Sequence, residues 1–289
     1  MEGIGQEGND MKRILTVQDI SCVGKCSLTV ALPIISAMGV ETAVLPTAVL
    51  STHTAFSDFT FRDLTEDIPG IEETWEKLGI DFDAVYTGYL GSRKQMKLVG
   101  SLIDRFKKKE SLVLVDPAMA DNGSMYAGFS KEFAEDMAKL CAKADVIVPN
   151  LTEAAFLLDI PCPPSDCSKE TMKEILKRLA DRGTRRVVIT GYTSSDDTLG
   201  AISYDAKENE FFVYERKRYP QMFHGTGDIF ASVLMGALSR GESFEDAVCL
   251  SVDFVAECIR KTLAEKDYNW YGVNFEQAIP WLVKRLRIE

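Results

Sequence analysis

The sequence predicts an α/β fold: a three-layer αβα sandwich around a mostly parallel sheet that carries one antiparallel hairpin. Two observations lead there. Short apolar runs alternate with longer amphipathic ones through the first two thirds of the chain, and several of the short runs are apolar throughout, as strands buried on both faces must be. Strands that alternate with helices close most economically through right-handed crossovers into a parallel sheet.

Taken in order, strands are expected at Arg13–Gln18, Ala43–Leu50, Ala84–Tyr89, Ser111–Asp116, Val146–Pro149 and Arg186–Gly191, each a short apolar or β-branched run bounded by turn residues. Helical spacing of apolar residues falls between them, over 27–38, 92–108, 131–143 and 168–182. The pattern changes after Gly191. Leu199–Tyr204 and Glu210–Glu215 flank the turn-like Asp205–Asn209 and predict a hairpin, and three helices then follow at 228–240, 243–264 and 275–287. The breaks at Ile160–Asp166 and Thr193–Asp197 are too short to be interdomain linkers. Residues 11–289 are therefore expected to form one domain, with residues 1–10 as a flexible tail.

Of the 289 residues, 46% are hydrophobic and 27% charged, the balance of a folded globular protein. The net charge of -11 opposes broad attraction to nucleic acid or anionic lipid, which need clustered Lys and Arg. No apolar run reaches the ~20 residues of a membrane helix, and MEGIGQEGND has neither the basic start nor the apolar stretch of a signal peptide. A cytoplasmic protein with no membrane or nucleic-acid partner is the expectation. Seven cysteines and two histidines form no zinc spacing, so reduced thiols are expected.

Chemistry concentrates in His224-Gly225-Thr226-Gly227-Asp228, where a glycine-flanked turn runs into an apolar helix rich in small residues. Free amides at a helix start hold anions, and glycines let a phosphate approach the backbone. Asp228 at that point is either a helix cap or a general base for an acceptor hydroxyl, and spacing alone leaves both open. A Walker-type loop is excluded, because Gly24-Lys25 is followed by Cys26 and Asp19 stands where its first glycine belongs. Gly3-Ile4-Gly5-Gln6-Glu7-Gly8 has the letters of a dinucleotide fingerprint but precedes the first strand.

Three further pieces end strands. Asp116-Pro117-Ala118-Met119-Ala120-Asp121 offers two carboxylates where open sheets place their ligands. Pro149-Asn150-Leu151-Thr152-Glu153 reads as a helix start with near capping-box spacing, and Val188-Ile189-Thr190-Gly191 supplies a strand-terminal hydroxyl.

Together with Gly225-Thr226-Gly227-Asp228, these pieces resemble the ribokinase-like kinases, collinearly from about Leu15 to Ala247. Val17-Gln18-Asp19-Ile20-Ser21, Thr47–Thr54 and Thr87-Gly88-Tyr89-Leu90-Gly91-Ser92 resemble the pyridoxal (vitamin B6) kinases in particular. The resemblance implies a ribokinase-like fold without a separate lid and a cytoplasmic homodimer. It further implies ATP and Mg2+ as cofactors, a monovalent cation assisting, and phosphorylation of a B6 vitamer's hydroxymethyl group. Asp228 would be the base, with the amides of Gly225, Thr226 and Gly227 as the anion hole. Asp116 and Glu153 would serve Mg2+, and Asp121, Asn150 and Thr190 would join them at the nucleotide. Asp19, Thr47, Ser51, His53 and Tyr89 would meet the acceptor, His53 at its phenolic oxygen. Asp19 departs from the family, which commonly has Ser there. It would pair with a protonated ring nitrogen or mark another substrate. A hydroxymethylpyrimidine kinase, a sugar kinase and a non-catalytic B6-binding relative are the competing readings. Lys25 is expected to be a solvated loop residue.

Overall fold

In the computed structural model, which describes residues 11–164 and 166–288, the apolar runs assemble into one nine-stranded sheet. The N-terminal half contains β1 (Arg13–Val23), α1 (Leu28–Ala37), β2 (Glu41–Thr52), β3 (Phe61–Asp63), α2 (Ile68–Lys77), β4 (Phe82–Thr87), α3 (Arg93–Phe106), β5 (Lys107–Val115), β6 (Ala120–Asp121) and β7 (Ser124–Met125). The remainder contains α4 (Lys131–Cys141), β8 (Val146–Ile147), α5 (Leu151–Leu158), α6 (Lys169–Ala180), β9 (Arg186–Tyr192), β10 (Thr198–Asp205), β11 (Glu210–Lys217), α7 (Thr226–Ser239), α8 (Phe244–Leu263) and α9 (Phe275–Arg285).

The strand order is β11-β10-β9-β8-β5-β4-β1-β2-β3. All pairings from β9 to β2 are parallel, while β3 and the β10–β11 hairpin run antiparallel at the two edges. Each central strand splits its side chains between two cores. Leu15, Val17, Val85, Val113 and Ile189 face α3–α6, and Ile14, Ala84, Leu114 and Val188 face α1 and α7–α9. This is the predicted three-layer sandwich, and it explains why the central strands read as unbroken apolar runs rather than alternating ones. The predicted flexibility of residues 1–10 lies outside the described residues.

Two departures from the predicted elements have physical causes. Helix α2, not foreseen, contains Pro69 and Gly70 and buries only Ile68 and Glu72. It is fixed by tertiary contact, Ile68, Ile71 and Trp75 packing on the core and Arg105 donating to Glu72 at 2.8 Å. Strand β1 runs five residues past Gln18 because its register with β2 shifts between Gln18 and Ile20, so that Asp19 faces both Thr47 and Ala48. Such irregularities re-aim side chains at sheet ends. Here the re-aimed residues are Asp19 and Thr47. Strand order also reverses between β1 and β4, the crevice where open α/β sheets accept ligands at the carboxyl ends of their strands.

Candidate active site

Helix α7 begins at Thr226, with Gly225 as its N-cap in the left-handed region (φ 76°) and no side chain capping the first turn. Asp228 is therefore not the cap: it lies within the first turn, and the orphan amides around it are free for an anion. Gly225 is required here, since a Cβ would come within 1.8 Å of the Lys25 carbonyl oxygen. A Cβ on Gly227 would meet nothing within 4 Å, which leaves that side of the turn open.

Asp228 is partly buried at the base of the cleft. Burial pushes its carboxyl up to about 6, the nearby Asp19 adds to this, and a hydrogen bond from the Ser27 amide opposes it. Ser27 holds that amide in place at φ 51°, ψ -134°, a backbone conformation that costs a non-glycine residue roughly 1–3 kcal/mol and that recurs at functional sites.

Two more carboxylates share this end of the sheet. Asp116, 8% exposed, is pushed well above the usual carboxylate range by burial first, then by the charges of Glu153 and Asp228. Glu153, 4% exposed, is raised to about 8 by burial, against hydrogen bonds from backbone amides. Asn150 and Glu153 form the full capping box of α5: the Asn150 side chain accepts from the Glu153 amide at 2.9 Å, and Glu153 Oε2 accepts from the Asn150 amide at 2.9 Å. Glu153 Oε1 also accepts from the Met119 amide at 3.1 Å. Cap and site residue are thus one and the same. Thr190 is bridged to Asn150 in parallel fashion and donates its amide to the Pro149 carbonyl at 3.0 Å.

No three His, Cys, Asp or Glu groups converge as a ready-made metal cage among the described residues. The donors nonetheless fit Mg2+, a hard cation that uses one or two carboxylates, retains several waters and takes its other ligands from phosphates. Asp116 and Glu153 are two such carboxylates, each raised by burial and by neighbouring acids. Asp121 sits in the exposed β6–β7 turn, with both oxygens accepting from Asn122, at 2.8 and 3.1 Å. Its charge still reaches Glu153, whose carboxyl it helps to raise.

The acceptor candidates approach Asp228 from the other side. Asp19 is 4% exposed; it accepts from Ser21 Oγ at 3.1 Å and is raised by burial, with Ser27 and Ser21 drawing it back. Tyr89 stacks on Phe129 at 5.7 Å, and its hydroxyl is raised by burial and then by Asp19. Thr47 is buried with its hydroxyl unpartnered, while its carbonyl accepts from Gln95 Nε2 at 2.9 Å. Three further residues have partners within the protein, and for Lys25 these overturn the expectation of a solvated side chain. Ser51 Oγ accepts from the Thr60 amide at 2.9 Å and so stabilises the β2–β3 turn. Both nitrogens of His53 have backbone partners, the Ala55 amide at 3.2 Å and the Tyr271 carbonyl at 3.0 Å. Lys25 is no solvated residue: its side chain is 14% exposed and bonds to Asn274 at 3.1 Å and Glu276 at 2.8 Å.

Residues absent from the sequence reading include Ser27, Gln95 and Tyr271. Gln95 joins the Thr47 carbonyl, Thr65 Oγ1 and the Gly91 amide, and nothing local marks it. The left-handed Ser27 had one weak signal, its position just before the first helix.

Comparison with known proteins follows this geometry. The phosphomethylpyrimidine kinase family model matches residues 32–271. A Bacteroides thetaiotaomicron VPI-5482 protein assigned as a phosphomethylpyrimidine kinase, solved with pyridoxal, is 39% identical with a TM-score of 0.90, covering 94% of this chain and 96% of that one. The pyridoxal kinase of Lactobacillus plantarum is 29% identical with a TM-score of 0.87, covering 95% and 97%. That of Staphylococcus aureus, solved with ADP, is 26% identical with a TM-score of 0.78, covering 92% and 93%.

Proposed function

The chain belongs to the phosphomethylpyrimidine kinase family of phosphotransferases, and from that premise we propose that it transfers the γ-phosphoryl group of ATP to the hydroxymethyl group of a B6 vitamer. The observation that carries this reading is the position of Asp228 in an uncapped helix turn, raised to about 6 by burial and Asp19 and near enough to Asp116 for its charge to raise that carboxyl in turn. The relatives solved with pyridoxal and with ADP support it.

In this mechanism Asp228 accepts the proton of the acceptor hydroxyl as that oxygen attacks phosphorus, and the ADP oxygen leaves in line. A base raised toward neutrality is matched to this task. The amides of Gly225, Thr226 and Gly227 receive the charge that develops on the transferring oxygens. Asp116 and Glu153 would hold Mg2+, Glu153 through water, and the metal would supply charge neutralisation of the phosphates. Asn150 and Thr190 would position the nucleotide, with a monovalent cation assisting. Tyr89 stacks against the pyridine ring, Thr47 offers its hydroxyl, and Asp19 pairs with the protonated ring nitrogen. Residues 11–289 act as a single catalytic domain without a separate lid, in a cytoplasmic homodimer that sedimentation would reveal.

The family model's own description favours a second reading, phosphorylation of a hydroxymethylpyrimidine. One assay separates the two: ATP- and Mg2+-dependent phosphorylation of pyridoxal, pyridoxine, pyridoxamine and hydroxymethylpyrimidine measured side by side. Turnover of a B6 vitamer at the higher kcat/KM is expected. Turnover of the pyrimidine alone would replace the acceptor assignment while keeping Asp228 and the metal residues, and silence on all four would move the assignment to a sugar kinase or a non-catalytic binder.

A further inference from the structure

We infer that the segment between α8 and α9, around Trp270–Asn274, is a wall of the acceptor site, and that Lys25 is the positioning residue that docks it there. The inference rests on the acceptor reading above and adds a part of the chain to which that reading gives no role. Lys25 and residues 272–274 lie outside the span matched by the family model.

The geometry begins at His53. Its Nδ1 accepts from the Ala55 amide at 3.2 Å, and its Nε2 lies 3.0 Å from the Tyr271 carbonyl oxygen. A carbonyl can only accept, so the ring proton sits on Nε2 and two backbone groups together fix both tautomer and orientation. Trp270 packs edge-on to His53 at 6.0 Å and lies 4.7 Å from Phe56. The loop after β2, which carries His53, is therefore held against the C-terminal segment as well as by its own neighbours Ala55 and Phe56. Even Gly24 is shaped to this ring: a Cβ there would come within 2.5 Å of His53 Cδ2.

Lys25 supplies the lock. Its ammonium donates to Asn274 Oδ1 at 3.1 Å and to Glu276 at 2.8 Å. Its stem covers Gly272, where a Cβ would come within 2.5 Å of Lys25 Cβ, and its carbonyl abuts Gly225 at the start of α7. One residue thus joins the β1–α1 loop, the phosphoryl-transfer turn and the C-terminal segment. A mostly covered ammonium is tolerated only while it is paired. Removing its charge deprives the wall of its tie, and with it the acceptor loop of the carbonyl that orients His53.

The test uses the full-length protein with Lys25→Met, which keeps the stem and removes the charge, and Trp270→Ala, at a ring that is 54% exposed and so leaves folding intact. Steady-state KM is measured separately for acceptor and ATP. In parallel, long-range 1H–15N NMR reads the imidazole tautomers, and the chain holds only two histidines. Lys25→Met is expected to raise the acceptor KM at least tenfold with the ATP KM within twofold, and to convert the His53 signals from the Nε2–H pattern to a tautomer mixture. Trp270→Ala is expected to raise the acceptor KM about threefold and to shift the same signals, and it decides the matter if Lys25→Met does not fold. Unchanged His53 signals in a folded variant, or acceptor and ATP KM rising together, would overturn the proposal. Should the parent protein phosphorylate no B6 vitamer, the acceptor reading fails on its own, and the imidazole spectra still decide whether Lys25 docks the wall.

Discussion

The phosphoryl end and the acceptor end of this cleft are built in different ways. At the phosphoryl end each functional group sits where a strand stops or a helix starts, and the helix cap that places it is near in sequence, Glu153 with Asn150 three residues away and Asp228 three residues after Gly225, with bonds from the Met119 and Ser27 amides added to that local frame. At the acceptor end the decisive contacts span most of the chain. His53 meets Tyr271 across 218 positions, and Lys25 meets Asn274 across 249. Local construction makes the first end robust and readable. Long-range construction makes the second dependent on how loops from opposite ends of the sequence close over the sheet.

The largest effect should come from the phosphoryl end. Asp228→Asn removes the base but not the amides, so kcat should fall by about 10²–10⁴-fold while ATP affinity, measured by calorimetry, stays close to the parent value. Retained turnover would reduce Asp228 to a first-turn helix residue and erase the contrast. At the acceptor end, Gly24→Ala places a methyl against His53 in a backbone with φ 138°. The acceptor KM should then rise by about tenfold, as small misplacements of a positioning contact do, with ATP binding spared. An equal loss for ATP would show that the two ends are mechanically one.

The smallest effect is on stability. The carboxyls of Asp228 and Glu153 are raised, to about 6 and about 8, and Asp116 is raised as well, so the folded state holds their protons more tightly than the unfolded chain. Their contribution to stability is complete below the unfolded values, near 3.8–4.5, and is lost as pH rises through the folded ones. In chelator, Tm should fall by about 5 °C between pH 5.5 and 9, and Asp116→Asn should flatten that slope. A slope unchanged by the substitution would mean that Asp116 is not coupled to its neighbours as the geometry indicates.

The contrast between the ends also marks what could be read in advance. The Asn150–Glu153 box, the glycine turn before Asp228 and the apolar central strands are consequences of local backbone chemistry, and each was legible as such. Asp121 and Ser51 were less legible, because a carboxylate or hydroxyl in a turn can satisfy a ligand or its own loop, and spacing does not say which. Asp121 bonds to Asn122 and Ser51 to Thr60. Lys25 was misread as solvated, its partners being Asn274 and Glu276.

The sequence by itself determined the parallel sheet, its edge hairpin and the glycine turn that opens α7, because hydrophobic periodicity and terminal backbone groups act over a few residues. Only the tertiary structure decided the register shift that turns Asp19 and Thr47 into the cleft, the tautomer of His53 and the burial of Lys25. These depend on which distant loops come into contact once the layers pack, and side-chain packing across the sheet settles that, not local preference.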